Sequence, residues 1–106
     1  MINHNYDPSG HKLSFPYHGR LDAITSAELF PMVTQLVEKY IAMEYASRLV
    51  VIFDFEKVDF VTSGFIRLCV SVAKTVGKER FSIINTNPLI KKTFKIAALD
   101  SELNVS

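Results

Sequence analysis

Leu49-Val50-Val51-Ile52-Phe53-Asp54-Phe55 is the strongest strand signal in the sequence. Its apolar residues occupy both alternating faces and are mostly β-branched or aromatic, which is typical of a strand covered on both sides inside a sheet. Residues 63–76 follow with apolar side chains at helical spacing, and Gly77 stands at a position suited to a left-handed helix cap. The pattern predicts a buried strand that leads into an amphipathic helix.

The segments on the amino-terminal side predict two further strands and one helix. Lys12–Arg20 alternates apolar and polar residues as a half-buried strand does, and Met1–Tyr6 is a weaker strand candidate before a turn. Thr25-Ser26-Ala27-Glu28 fits a capping box and predicts the start of a helix that ends near Tyr45. Pro31 would then lie beyond the first turn, so this helix either starts later or bends there.

The carboxyl-terminal side repeats the strand and helix order. Phe81–Asn85 is predicted as a strand, and Asn87-Pro88 is typical of a helix N-cap followed by proline at the first helical position. This helix is predicted to run through Ala98 with four side chains facing inward, namely Leu89, Ile90, Phe94 and Ala97. Strands that alternate with helices imply parallel strands joined by right-handed crossovers, so the predicted fold class is α/β.

Length and composition restrict the classes of protein that fit. The 106 residues predict one domain over 1–106, and the formal net charge of +1 argues against a polybasic nucleic-acid binder. The longest uninterrupted apolar run is Leu49–Phe53, too short for a membrane-spanning helix. One cysteine and the lack of a secretory signal pattern predict a cytoplasmic protein.

The motifs of common catalytic and metal sites are missing from the sequence. It contains no glycine-rich phosphate loop, CxxC, HExxH or GxSxG, so we expect no enzyme and no cofactor. His4, His11 and His18 would approach one another if the first two strands formed a hairpin, but no cluster of Asp, Glu or Cys completes a metal site. Cys69 lies on the inward stripe of its helix and is interpreted as a core residue.

Two adjacent hydroxyls mark the junction between the buried strand and the helix after it. Thr62 or Ser63 can cap the helix by accepting a hydrogen bond from an amide of the first turn. Alternatively, Ser63 is a phosphorylation site, because the free amides and the positive end of the helix dipole tolerate a phosphate there. A partner bound to the same junction would meet the new negative charge. The two interpretations are compatible.

At this junction the sequence resembles the STAS domain of bacterial anti-sigma factor antagonists. Val61-Thr62-Ser63-Gly64-Phe65-Ile66 is similar to the family's Asp-Ser-Ser-Gly-Leu-Gly motif, and Gly19-Arg20-Leu21-Asp22 resembles its Gly-Arg-Leu-Asp. Residues 87–99 are similar to the family's third helix, so the resemblance extends from about Lys12 to Leu103. It implies a right-handed β-α superhelix, with a mostly parallel four- to five-stranded sheet and about three helices.

The resemblance also implies a partner and a switch. The partner would be a serine-kinase anti-sigma factor or another STAS-binding protein, and phosphorylation of one serine would end the interaction. Ser63 falls on the phosphoacceptor position of the family, with Thr62 as the second candidate. The surface that contacts the partner would comprise Asp22, Asp59, Thr62, Ser63, Gly64, Phe65 and Arg67.

Some positions depart from the family pattern. Val61 replaces the usual Asp, Phe65 and Ile66 replace Leu and Gly, and Ala98 stands where the family has Gly. The loss of the acidic residue at Val61 and the added bulk at Phe65 and Ile66 would alter the docking surface. The sequence also lacks much of the usual last helix, which would leave an apolar face for a partner or a second copy of the chain.

A second hypothesis makes the chain a constitutive adaptor without phosphorylation. STAS modules also serve in lipid-transport ATPases and in stress-signalling complexes, and Ser63 would then be only a helix cap. An enzyme or small-ligand carrier is a third alternative, but no convergent set of polar residues supports it. Six basic residues on or between the last two helices would form a face that suits an acidic partner better than nucleic acid, namely Lys74, Lys78, Arg80, Lys91, Lys92 and Lys95.

Overall fold

The computed structural model describes residues 2–44 and 48–106. The strands of this part of the chain are β1 (Asn5–Asp7), β2 (Lys12–Leu21), β3 (Val50–Val61) and β4 (Phe81–Ile84). Its α-helices are α1 (Ala23–Ala42), α2 (Ser63–Val76) and α3 (Pro88–Ile96), with a 3-10 turn at Lys78–Arg80 between α2 and β4. The predicted strand start at Met1 and the predicted helix end near Tyr45 lie outside the described residues.

The strands form one mixed sheet in the order β1-β2-β3-β4. β1 and β2 are an antiparallel hairpin, whereas β2 pairs with β3 and β3 with β4 in parallel. Helices α1 and α2 make the two crossovers, as parallel neighbours require. The α/β class and the mostly parallel sheet predicted from the sequence are therefore confirmed.

The core lies on one face of this sheet. Phe15 of β2 is in register with Phe53 of β3, and both side chains are fully buried. The Phe53 ring centre lies 5.9 Å from that of Phe65 in α2. On the opposite face, Ile52 and Asp54 are only half-buried. The prediction that this strand is covered on both sides is wrong, because the helices cover only one face of the sheet. β3 is an interior strand in the sense that it pairs with β2 on one side and β4 on the other.

Strand β3 extends beyond the predicted strand segment, which ends at Phe55, and continues to Val61. It has twelve residues against ten in β2, and two irregularities in the register absorb the excess. Each inserts one residue into β3, so that two consecutive side chains, such as those of Glu56 and Lys57, are exposed. The bulges break the alternation of period two that would have identified the strand.

Helix α1 begins three residues earlier than the proposed capping box implies, at Ala23 and not at Ser26. Its N-cap is Asp22, whose Oδ1 accepts a hydrogen bond from the Thr25 amide at 2.9 Å. The prediction that Thr25 caps the helix is therefore wrong. Pro31 lies inside α1, where it has no amide hydrogen to donate to the carbonyl of Ala27.

Helix α2 starts at Ser63 and ends at Val76, the bounds that the sequence predicts. Gly77 has a φ of +100° with a ψ of 140°, so it uses the positive φ open to glycine without adopting the left-handed helical conformation. Cys69 is fully buried, and burial raises the pKa of its thiol. This placement agrees with its interpretation as a core residue.

Helix α3 ends at Ile96, earlier than predicted, and buries Ile90 and Phe94. Leu89 and Ala97, which were expected to face inward, are exposed. The helix closes in a Schellman arrangement: the Leu99 amide donates to the Phe94 carbonyl at 2.9 Å, and the Ala98 amide donates to the Lys95 carbonyl at 3.0 Å. Ala98 has a φ of +60°, the left-handed conformation that glycine usually occupies at this position.

The last residues turn back along β4. Leu103 is buried in the core, and Val105 forms a parallel bridge with Ile83. A groove of about 490 Å³ remains between α2 and this tail. In the part of the chain that the structure describes, no helix combines the length and apolar character needed to cross a membrane.

Candidate functional site

The candidate site lies where β2 and β3 end and α1 and α2 begin. The parallel strands bring Leu21 and Val61 into register, so the residues that follow them are neighbours. The Leu21 carbonyl oxygen accepts hydrogen bonds from the amide and the hydroxyl of Thr62, each at 3.1 Å. The hydroxyl of the buried Ser26 also donates to it, at 3.5 Å. One carbonyl thus joins the two strand-to-helix junctions.

The two hydroxyls of the junction have different environments. Thr62 is the N-cap residue of α2, but its side chain makes no capping hydrogen bond because its hydroxyl donates to Leu21. Ser63 is the first residue inside the helix, and its side chain is exposed. The capping interpretation of these hydroxyls is therefore wrong, and only the Ser63 hydroxyl combines exposure with freedom from a structural hydrogen bond.

The first turn of α2 retains free amides. The Thr62 carbonyl accepts hydrogen bonds from the amides of Phe65 and Ile66, each at 3.0 Å. No group in residues 2–44 or 48–106 accepts a hydrogen bond from the amides of Ser63 and Gly64. The turn also contains no acidic side chain. This end of the helix therefore keeps the partial positive charge of its dipole.

A surface depression of about 330 Å³ lies beside Ser63, between the first turns of α1 and α2. Gly64 forms part of its wall, and a Cβ placed there would lie 3.5 Å from the Cβ of Ser26. This is an ordinary van der Waals distance, so Gly64 lies directly against α1. The residues that line the depression are Ala23, Ser26, Ala27, Phe30, Thr62, Ser63, Gly64 and Arg67.

Three other residues expected at the contact surface lie in three different parts of the fold. Asp22 caps α1, and the hydrogen bond from the Thr25 amide lowers the pKa of its carboxyl group. Asp59 is exposed and lies in the last part of β3. Phe65 is fully buried between Tyr17 and Phe55, so it cannot contact a partner directly and instead supports the junction from beneath.

Sequence reasoning missed an exposed pair close to the junction. The Arg20 guanidinium carbon lies 4.3 Å from the centre of the Phe60 ring, within the range of a cation–π interaction. Phe60 is 38% exposed because the second β3 bulge places it next to Asp59 on the solvent side. The pairing of Arg20 with Phe60 depends on that bulge, and no local pattern in the sequence predicts it.

The histidines and the basic residues do not form the groups considered from the sequence. His11 Nδ1 lies 2.6 Å from the Tyr6 hydroxyl, and His4 Nδ1 lies 3.1 Å from the Ile2 carbonyl oxygen. Within the described residues, no three His, Cys, Asp or Glu side chains are grouped as metal ligands. Lys78 lies 3.5 Å from Glu102, so an acidic residue interrupts the expected basic face.

Comparison with solved structures identifies the class of fold, which is the STAS fold of anti-sigma factor antagonists. The resemblance seen in the sequence is confirmed at this level. An anti-sigma factor antagonist from Mycobacterium paratuberculosis superposes with a TM-score of 0.71 at 17% identity, covering 99% of this chain and 85% of that one.

Two structures of the antagonist SpoIIAA are also similar. The unphosphorylated form has a TM-score of 0.64 at 14% identity over 91% of this chain and 83% of that one. The phosphorylated form, from Bacillus, has a TM-score of 0.65 at 15% identity over 100% of this chain and 91% of that one. No protein-family model and no curated protein sequence matches the chain.

Proposed function

We propose that this chain is an anti-sigma factor antagonist-like binding module, and that a partner serine kinase switches it off by phosphorylating Ser63. The observation that carries the proposal is the exposed Ser63 hydroxyl at the start of α2, in a chain with the STAS fold. Ser63 has no capping role that would require its hydroxyl. Thr62, the alternative acceptor, is half-buried, and its hydroxyl donates to Leu21.

The chemistry requires a nucleotide that the partner supplies. The Ser63 oxygen would attack the γ-phosphorus of ATP bound to the kinase, the bond from that phosphorus to the leaving oxygen of ADP would break, and the hydroxyl proton would pass to a base of the kinase. The module contributes an accessible nucleophile on a rigid helix end. The kinase contributes the nucleotide, the metal and the base.

The position of Ser63 suits a switch that acts on binding and leaves the fold intact. A phosphate there would lie near the free amides of the first turn, where a negative charge is favourable. The partner would meet nearly two additional negative charges at the surface it contacts. We assign that surface to Asp22, Asp59, Thr62, Ser63, Gly64 and Arg67.

The comparison structures support the regulatory part of the proposal. One of them is SpoIIAA in its phosphorylated form and another is the same antagonist unphosphorylated, so a protein of this fold exists in both states. For the present chain we propose the same alternation, in the cytoplasm, with a serine-kinase anti-sigma factor as the partner. The domain limits 1–106 remain a prediction.

The experiment that tests this function is a comparative pull-down from lysate of the source organism. The baits are the parent protein, Ser63→Asp, Ser63→Ala and the matched control Ser101→Asp, which places the same charge on an exposed serine of the tail. We expect the parent, Ser63→Ala and Ser101→Asp to retain an ATP-binding serine kinase, and Ser63→Asp to lose it. The purified kinase and ATP should then add one phosphate to the parent and none to Ser63→Ala.

Equal recovery of a transporter or scaffold protein by all four baits would contradict the switch. It would support the constitutive adaptor instead. Aspartate is favourable in the first turn of a helix, so Ser63→Asp would leave the fold intact, and an adaptor does not depend on phosphorylation of Ser63. Phosphate incorporation into Ser63→Ala would move the modification to another hydroxyl, with Thr62 as the first to examine.

A further inference from the structure

The depression beside Ser63 is lined by one ionisable side chain, that of Arg67. Arg67 is exposed, and no residue in the described part of the chain forms an ion pair or a hydrogen bond with it. The remaining lining residues are apolar residues, residues with a hydroxyl group, and one glycine. The Arg67 guanidinium lines the same depression as Ser63 and has no ion-pair or hydrogen-bond partner within the described structure.

The spacing on α2 brings these two residues together. Ser63 and Arg67 are four residues apart in one helix, so they are surface neighbours with Cβ atoms about 5–6 Å apart. The Cα–Cβ bonds of a helix tilt towards its N-terminus, so the Arg67 side chain leans over the turn that contains Ser63. A guanidinium in this position can bind two phosphate oxygens at once.

The neighbouring hydroxyls do not compete for this role. The hydroxyls of Thr62 and Ser26 donate to the Leu21 carbonyl oxygen, at 3.1 and 3.5 Å, and serve the junction between the strands and helices. Both helices that form the depression contribute only uncharged side chains apart from Arg67. Among the described residues that line the depression, Arg67 is thus the single charged donor available to an anion.

We propose that Arg67 binds the phosphate carried by Ser63 and folds it back into the depression. The inference rests on the proposed function and specifies the regulation of the same site. In the unmodified protein, Arg67 offers one positive charge to an acidic group of the partner. After modification, a phosphate of about two negative charges occupies that cation and reverses the sign of the local charge. Arg67 is therefore a positioning residue of the switch.

The test measures the second ionisation of the phosphate by ³¹P NMR. Phosphoserine is incorporated at position 63 during translation, so the experiment needs neither kinase nor partner. The midpoint of the ³¹P titration is compared among the phosphorylated parent, Arg67→Gln, Arg67→Lys and Lys74→Gln. Lys74 is the matched control, because it lies eleven residues further along α2, about 16 Å from Ser63 and beyond the screening length of physiological salt.

We expect Arg67→Gln to raise the midpoint by about 0.3 pH units or more, since an adjacent cation favours the doubly charged phosphate. Arg67→Lys should give a smaller rise, and Lys74→Gln should leave the midpoint unchanged. The shift should shrink at 1 M salt, where the screening length is about 3 Å. Equal midpoints for the parent and Arg67→Gln, or equal shifts for Arg67→Gln and Lys74→Gln, would overturn the inference. A normal shift without any kinase in the pull-down would contradict the proposed function alone.

Discussion

The hydroxyl of Thr62 donates a hydrogen bond to the carbonyl oxygen of Leu21 at 3.1 Å, which ties the first residue after β3 to the last residue of β2. The amide of Thr62 donates to the same oxygen. The Thr62 side chain therefore donates to the last carbonyl group of the neighbouring strand and does not cap its own helix. This contact holds the two strand-to-helix junctions together and leaves Ser63 as the accessible hydroxyl.

Replacement of Thr62 by valine tests this contact. Thr62→Val keeps the shape and the amide bond but removes the hydroxyl donor, so we expect a loss of about 1 kcal/mol in the free energy of unfolding. Thr62→Ser, which keeps the hydroxyl, is the matched control and should lose less. Urea denaturation followed by circular dichroism measures both. Equal losses in the two variants would show that the hydroxyl bond does not stabilise the junction.

Ala98 offers a stabilising substitution. Its φ of +60° places an alanine in the left-handed conformation, which costs an L residue roughly 1 kcal/mol relative to glycine. Ala98→Gly should therefore raise the unfolding free energy by up to about 1 kcal/mol. Ala97→Gly is the control, because Ala97 has a φ of −77° and glycine should lower stability there. If both variants were destabilised, residue 98 would not adopt this conformation in solution.

The two tyrosines at positions 17 and 6 should respond in opposite directions to replacement by phenylalanine. The Tyr17 hydroxyl is buried and has no hydrogen-bond partner among the residues that the structure describes, so Tyr17→Phe removes an uncompensated polar group and should raise stability by about 1 kcal/mol. The Tyr6 hydroxyl lies 2.6 Å from His11 Nδ1, so Tyr6→Phe should lower stability. Thermal unfolding of the two variants under identical conditions gives the comparison. Destabilisation by Tyr17→Phe would indicate a partner for that hydroxyl in solution.

Asp22 should make stability depend on pH in the acid range. The Thr25 amide lowers the pKa of this carboxyl group below its usual 3.8 in the folded protein. Its contribution is therefore complete above that usual value and is lost as the pH falls through the lowered folded value. Asp22→Asn keeps an oxygen acceptor at the cap but does not titrate, so the parent should lose more stability than Asp22→Asn between about pH 6 and about pH 3. Parallel losses would mean that other carboxyl groups account for the acid sensitivity.

Several elements were predictable because their signals are local. The bounds of α2 follow from its amphipathic pattern and from Gly77, and the core segment of β3 follows from its run of β-branched and aromatic residues. The start of α1 was missed because Asp22 and Thr25 both have side chains that suit an N-cap. The end of β3 was missed because two bulges disturb its alternation, and their positions depend on pairing with β2.

The candidate site shows the same division. Local periodicity and composition were sufficient to predict the α/β class, the order of the elements and the pair of hydroxyls at the start of α2. The hydrogen bond of the Thr62 hydroxyl to Leu21, the exposure of Ser63 and the burial of Phe65 in the core became known from the folded structure alone. The physical reason is that Thr62 and Leu21 are 41 residues apart, and they come into hydrogen-bond contact only when the sheet aligns the ends of its parallel strands.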